Sequence, residues 1–245
     1  MRLAVISDIH SNLEAFEATL KDISAQSVDD VISLGDNIGY GAEPEEIIIN
    51  LKRHAISSVL GNHELAVLDE DYLRTFNYHA RKALVINKKI LSGPAKHYIS
   101  TLKPSLVRYG CRFVHGMPPD IVTRYVCNEP DQKLICVLQQ LKERVAFVGH
   151  THQLGVYELH QGVLEKKIFL KSPVLLAKSK RYIINTGSVG QPRDGYNKAK
   201  YVIWDSSRSR IEPRFVSYDC HAAAEKIKKA GISKRYADLL EKASG

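Results

Sequence analysis

The chain has 245 residues, of which 44% are hydrophobic and 25% charged; that balance excludes disorder as the main state and leaves length for one large core or two small ones. The formal net charge is +8, yet Lys and Arg are scattered and nowhere interleaved with aromatic residues as a single-strand groove requires. The excess reads as solvated surface, and nucleic acid is not an expected partner.

Residues 3–6, 31–34, 56–60, 112–114, 145–148 and 182–184 are short apolar runs, most of them rich in Val and Ile, that end in polar residues, and they read as buried strands. Between the first of them, residues 12–24 place Leu13, Phe16, Leu20 and Ile23 largely on one helical face with Asn12 available as the cap, and Pro44 suits the first turn of a helix over 44–54. Alternating strands and helices predict an α/β layered fold. Helices are expected at 77–91 and 94–102, inside a helical insertion at about 65–104. After His152 the strand-like segments 155–159, 165–169, 181–185, 201–205 and 211–218 follow one another through short loops, which predicts mostly antiparallel sheet. The tail, about 221–243, reads as two short helices broken at Gly231. With no repeat and no linker, one domain over 1–245 is expected.

Cys111, Cys127, Cys136 and Cys220 form no C-x-x-C pair and are too few for a disulfide framework in a chain of this length. The N-terminal apolar run is too short for a signal sequence, and no apolar stretch reaches membrane-spanning length. A cytoplasmic protein with reduced thiols and no membrane partner is the expectation. The sequence carries no signal for oligomeric state.

The chemistry sits where the strands stop. Ligands in open α/β sheets bind outside the carboxyl ends of strands, and the predicted strands place Asp8, His10, Asp36, Asn62, His63, His115, His150 and His152 at such ends. Taken singly, Asp8-x-His10 and Gly35-Asp36 also read as turns, and His115-Gly116 as a satisfied core histidine. Gly149-His150-Thr151-His152 is harder to explain away, because two imidazoles at i and i+2 after a strand need a reason to sit together. With Gly61-Asn62-His63-Glu64 these make five fragments at strand ends, and a shared site is the better reading. Carboxylate and neutral imidazole together suit divalent Mn, Fe, Zn or Ni, and a bridging carboxylate fits a pair of ions.

In this order, D-x-H, G-D, G-N-H-E, H-G and G-H-T-H resemble the signature of the calcineurin-like metallophosphoesterase superfamily. The stretch 185–195, N-T-G-S-V-G-Q-P-R-D-G, resembles its small bacterial and archaeal phosphodiesterase branch. The resemblance implies a four-layer αββα sandwich with mixed sheets and the metal site at the carboxyl ends of strands. It implies that Asp8, His10 and His152 hold one divalent ion, that Asn62, His115 and His150 hold a second, and that Asp36 bridges them, with Mn favoured. His63 would then sit over the substrate phosphate and assist the leaving group, so that His63 and Asp36 are the expected catalytic residues. The expected reaction is attack of a metal-bound hydroxide on a phosphodiester or phosphomonoester of a small substrate, a nucleotide among the candidates.

Five further residues are candidate substrate or pocket groups. Asn12 either orients the site or only caps its helix. Arg193, in a loop bounded by Gly and Pro, either binds a second phosphate or is a surface arginine. Tyr40, like Tyr78 and His79, reads as surface. Asn37 to Tyr40 contain no Arg after Gly35-Asp36, and Leu60 precedes Gly61. Protein Ser/Thr phosphatases and symmetrical dinucleoside-tetraphosphatases of the superfamily usually carry an Arg at both places, and a bidentate fork is not replaced by Leu or Tyr. A dinucleoside polyphosphate hydrolase acting through other residues stays an alternative. A non-catalytic scaffold is another, although the loss of His63 or of a ligand that would mark it is absent.

Overall fold

The structure is a computed structural model, and it describes residues 1–168 and 172–242. In chain order it begins with β1 (Arg2–Ile6), α1 (Leu13–Ser24), β2 (Asp30–Ser33), α2 (Pro44–Arg53) and β3 (Ser57–Ser58). Four helices follow: α3 (Asn62–Leu68), α4 (Glu70–Arg74), α5 (Tyr78–Ile90) and α6 (Gly93–Thr101). Then come β4 (Ser105–Arg108), β5 (Cys111–Val114), α7 (Asp131–Gln140), β6 (Val145–Val148), β7 (Leu154–His160), β8 (Val163–Ile168) and β9 (Val174–Leu175). The chain closes with β10 (Arg181–Thr186), β11 (Ala199–Asp205), β12 (Arg210–Val216), α8 (Cys220–Lys229) and α9 (Lys234–Glu241).

Two six-stranded mixed sheets result, ordered β3-β2-β1-β11-β12-β9 and β4-β5-β6-β10-β7-β8. In the first, β1, β2 and β3 are parallel and β11, β12 and β9 antiparallel. In the second, β5, β6 and β10 are parallel, with antiparallel β4, β7 and β8 outside them. The period of two along a strand sorts side chains into layers. Leu3 and Val5 of β1 meet Val145 and Phe147 of β6, Tyr182 and Ile184 of β10, and Val202 of β11 in the core between the sheets. The alternate residues Ala4 and Ile6 face the opposite way, against Phe16 of α1 and Ile47 and Leu51 of α2. Ala146 and Val148 of β6 pack on Leu134 and Leu138 of α7. Helix, sheet, sheet and helix are therefore stacked as the predicted αββα sandwich. The chain after His152 is mostly antiparallel, as expected, except that β10 runs parallel to β6.

Local chemistry sets the helix ends. Asn12 accepts from the Ala15 N–H at 3.1 Å and Asn77 from Ala80 N–H at 3.1 Å, while Pro44 opens α2. α7 was not predicted, and α3 and α4 stand where only an insertion was expected. Ile56 to Leu60 contribute a strand of two residues, because the chain turns into α3 at once. Of the strand predicted at 165–169, Phe169 lies outside the described residues, as does Ala243 of the tail. α8 and α9 flank Gly231 and bury Ala224, Ile227, Tyr236 and Leu240 against Ala83 of α5. No described helix is long and apolar enough to cross a membrane. Six parallel strands, three per sheet, thus end on one edge of the sandwich.

Candidate metal centre

The turns after these strands carry the backbone into a region that side chains avoid. Asp8, His10, Asp36, His150 and His152 all have φ between 49° and 66°. A non-glycine residue there is uncommon and costs about 1–3 kcal/mol, and such residues gather at functional sites. Sharp left-handed turns aim these side chains inward over the edge. Glycine clears the space they need. A Cβ on Gly149 would stand 1.9 Å from Ser7 Oγ and 2.7 Å from Asp8 Oδ2, and one on Gly39 (φ 98°) would stand 1.9 Å from His63 Nδ1.

Each carboxylate is fixed by one oxygen. Asp8 Oδ2 accepts from Ser7 Oγ at 2.6 Å and from His150 N–H at 3.0 Å, which leaves Oδ1 buried with no partner. Asp36 Oδ1 accepts from His63 N–H at 2.8 Å. Its Oδ2 points among imidazoles, 3.3 Å from His115 Nε2, 3.8 Å from His63 Nε2 and 3.9 Å from His10 Nε2. The imidazoles are fixed in the same way. Nδ1 of His10 meets Ile38 O at 3.1 Å, Nδ1 of His115 meets Leu34 O at 2.9 Å, and Nδ1 of His152 meets Gln191 O. A carbonyl accepts only, so these Nδ1 atoms carry hydrogen, and it is Nε2 that each ring turns into the site, a lone pair wherever that nitrogen is unprotonated.

Those lone pairs face other acceptors. His10 Nε2 lies 3.1 Å from His152 Nε2, and His152 Nε2 lies 3.2 Å from Asp8 Oδ1. His115 Nε2 lies 2.9 Å from Asn62 Oδ1 and 3.0 Å from His150 Nδ1, while His150 Nε2 is buried without a partner. Acceptors converging at such distances repel unless a cation or proton stands between them. With metal bonds of about 2.0–2.2 Å to nitrogen and oxygen, ligand-to-ligand edges come to roughly 3.0–3.5 Å, the spacing seen here. The donors fit divalent ions. Asp8, His10 and His152 form one group able to hold an ion, and Asp36, His115 and His150 another. A third, His10, Asp36 and His63, overlaps both through His10 and Asp36.

The electrostatics agree with a demand for positive charge. Burial would raise Asp8 and Asp36, but the imidazoles around them, His152 and His115 foremost, hold both carboxyls well below the usual range. Burial would lower His115, and the Asp36 carboxylate instead lifts it to about 9, so its Nε2 holds a proton unless a cation takes that proton's place. Burial lowers His150 to about 3 and His152 to about 4, so both are neutral and ready to donate a lone pair. His63 is likewise held well below its ordinary value by burial.

A cavity of about 210 Å³ opens above these groups, lined among others by Asp36, Asn62, His63, His150, His152 and Arg193. Tyr40 also lines it, which corrects its reading as a surface residue. Its ring stands 4.4 Å from that of His10 and 4.5 Å from that of His63. Tyr78 is exposed, and His79 contacts Ser233 instead. Asn12 is tied into the fold beside the site: its Oδ1 caps α1 and its Nδ2 donates to Gly190 O at 2.9 Å, and Gly190 N–H donates to Asp8 O at 2.9 Å.

Two contributors went unread in the sequence. Glu64 is wholly buried and accepts from the N–H groups of Asp36, Asn37, Ile38 and Gly61 at 2.7–3.3 Å. It ties the Asp36 turn to the start of α3, and its place three residues after Gly61 is a capping signal. Tyr125 stacks on His150 with centroids 3.7 Å apart; nothing in the sequence around it marks that contact.

The calcineurin-like phosphoesterase superfamily domain matches residues 1–209. The chain belongs to that superfamily. An uncharacterized protein of Methanocaldococcus jannaschii is 36% identical over 248 residues, 93% of this chain and 92% of its own. The crystal structure of a metallophosphoesterase from Sphaerobacter thermophilus is similar with a TM-score of 0.84 at 31% identity, over 99% of both chains. A hypothetical protein from Pyrococcus horikoshii OT3 has a TM-score of 0.81 at 17% identity, over 100% of this chain and 98% of its own, a likeness of fold alone. The superfamily uses divalent metals, and the buried His/Asp groups of this member are suited to them.

Proposed function

We propose that the chain is a two-metal phosphoesterase acting on a small phosphorylated molecule. The observation that carries this reading is the set of Nε2 atoms of His10, His115 and His152 turned toward one another and toward Asp8, Asp36 and Asn62 beneath an open cavity. Asp8, His10 and His152 would hold one ion and Asn62, His115 and His150 the other, with Asp36 between them. Two divalent ions, Mn favoured, supply Lewis acidity there: they lower the pKa of water and neutralise phosphate oxygens.

The protein does the rest. Glu64 and the Gly39 and Gly149 approaches fix Asp36, His63 and Asp8 so that no reorganisation is needed on reaction. His63, neutral and with Nδ1 unpartnered, lines the cavity and can donate one N–H to the oxygen that departs with the leaving group. Arg193 sits at the cavity rim, where its guanidinium can orient an anionic substrate. Asp36→Asn keeps the shape of the bridge but removes its charge. Mn-dependent turnover of a p-nitrophenyl phosphodiester should fall by at least about 10³-fold while the circular dichroism spectrum is kept. Turnover at the wild-type rate in that variant sinks the reading.

A further inference from the structure

Arg193 faces a second, larger cavity of about 420 Å³, which shares Tyr40, Asn77 and Tyr125 with the first and is completed by Gln191, Arg235 and Tyr236. Its far wall is the start of α9, in the tail beyond the residues 1–209 that define the superfamily domain. Tyr40 stands between the two spaces, with its ring 4.5 Å from His63 on one side and 4.5 Å from Tyr236 on the other.

The lining offers hydrogen-bond donors almost throughout. No Asp or Glu is among the described residues that line it. Arg193 is bound to neutral oxygens only: Nη2 donates to Gln191 Oε1 at 3.0 Å and to the Tyr40 hydroxyl at 3.4 Å, and its guanidinium lies 5.8 Å over the Tyr40 ring. Arg235 makes no ion pair among the described residues. Both amides have their oxygens engaged, Gln191 by Arg193 and Asn77 by the Ala80 N–H, which leaves each NH2 free to donate. Burial pushes the hydroxyls of Tyr40, Tyr125 and Tyr236 up, so all three keep their proton. Arg193 and Arg235 line this one cavity together with Tyr236, which places both guanidinium-bearing side chains on the same space.

The loop bearing Arg193 is held from below. Lys200, fully buried in β11, donates to the Asp194 carboxylate and to Tyr196 O at 2.9 Å. That acid is thereby neutralised and withdrawn from the cavity, and Arg193 is the charge left to face it.

We infer that this second cavity is an anion subsite, in which Arg193 and Arg235 clamp a second phosphate carried by the leaving part of the substrate. The substrate class is then a phosphoester with two phosphate groups, one over the metal centre and one between the arginines. The inference rests on the phosphoesterase reading and adds a specificity-determining role for α9.

The test compares adenosine 3′,5′-bisphosphate with adenosine 5′-monophosphate as ligands of the Mn-loaded full chain by calorimetry. Hydrolysis of p-nitrophenyl esters is measured alongside. Wild type should bind the bisphosphate at least about ten-fold more tightly, the scale of one charge-assisted bidentate contact. Arg235→Gln should reduce that ratio to about three-fold or less, and Arg235→Lys, which keeps charge but loses the fork, should fall between. Unchanged melting temperatures check that the exposed substitutions leave the fold intact. A wild-type ratio near one, or a ratio unmoved by Arg235→Gln, overturns the subsite while hydrolysis of the p-nitrophenyl esters keeps the phosphoesterase reading alive. No hydrolysis by wild type with Mn, Fe, Zn or Ni overturns that reading, and the substrate class goes with it.

Discussion

Between the sheets, Phe113 and Phe147 stack with centroids 5.3 Å apart and planes 7° from parallel, and Val5, Ile32, Ile184 and Val202 pack around them. Two residues beyond the ends of β1 and β6 stand Asp8 and His150, each at positive φ and each with a buried polar atom that no protein group satisfies. The same strands thus run from a region where alternation, propensity and packing agree to one where all three are violated. Natural chains break local rules where function requires it and are stabilised elsewhere. The inter-sheet core stabilises the fold, and the strand-end edge spends part of that stability on strained turns and crowded acceptors.

The largest expected effect tests whether these regions are separable. Phe147→Ala removes a wholly buried ring from the middle of the core and should cost about 3–5 kcal/mol in urea denaturation. Whatever fraction stays folded should retain Mn-dependent turnover per folded molecule. If the folded variant loses turnover as well, the core and the edge are one unit and the contrast fails.

The second effect has the opposite character, because it belongs to the edge. A cation that relieves the facing lone pairs binds the native state alone. Mn at a hundred-fold excess over its dissociation constant should therefore stabilise the metal-stripped protein by about 2.7 kcal/mol. Phe147→Ala should keep that increment on a lower baseline. Asp36→Asn should lose much of it, since a neutral amide replaces the carboxylate shared by both groups. Thermal unfolding of metal-stripped protein with and without Mn reads all three. A flat response in the wild type would show that the acceptors are satisfied by protons instead.

How much of this was legible in the sequence follows from the same contrast. Strands such as β1, β6 and β10 could be read because their Val and Ile runs report burial directly, and the edge could be read because five short motifs stand at their ends. What stayed hidden depended on contacts distant in sequence. Tyr40 follows Gly39 in a loop, and only its approach to His63 and to Tyr236, nearly 200 positions on, makes it a dividing wall. Glu64 was visible in G-N-H-E, yet the four N–H groups it binds come from two separate turns. Asn12 shows the converse: its local signal for a helix cap was sound. α7 went unread although Leu134, Val137 and Leu138 have helical spacing and are buried on one face.

The smallest effect comes from a third place, the outer face, and it sharpens the contrast by serving as an ordinary reference. Asp22 at the end of α1 accepts from Arg214 at 2.8 and 3.1 Å and from the Tyr201 hydroxyl at 2.6 Å. Burial would raise its pKa, but Arg214 and Tyr201 outweigh burial and hold it below the usual value. A carboxyl lowered in the folded state stabilises the protein above its unfolded pKa of about 3.9, and that contribution is lost as pH falls through the folded value. Solvent screening of this partly exposed pair limits the effect to no more than about 1 kcal/mol. The stability difference between wild type and Asp22→Asn should therefore be full above roughly pH 5 and close below it. Asp8 and Asp36 titrate on the same acid side, so the subtraction isolates Asp22 from the edge. The difference should be indifferent to Mn, because nothing at Asp22 faces the strand ends. A Mn-dependent difference would mean that the outer helix layer and the metal edge are coupled, and the separation drawn between them would have to be abandoned.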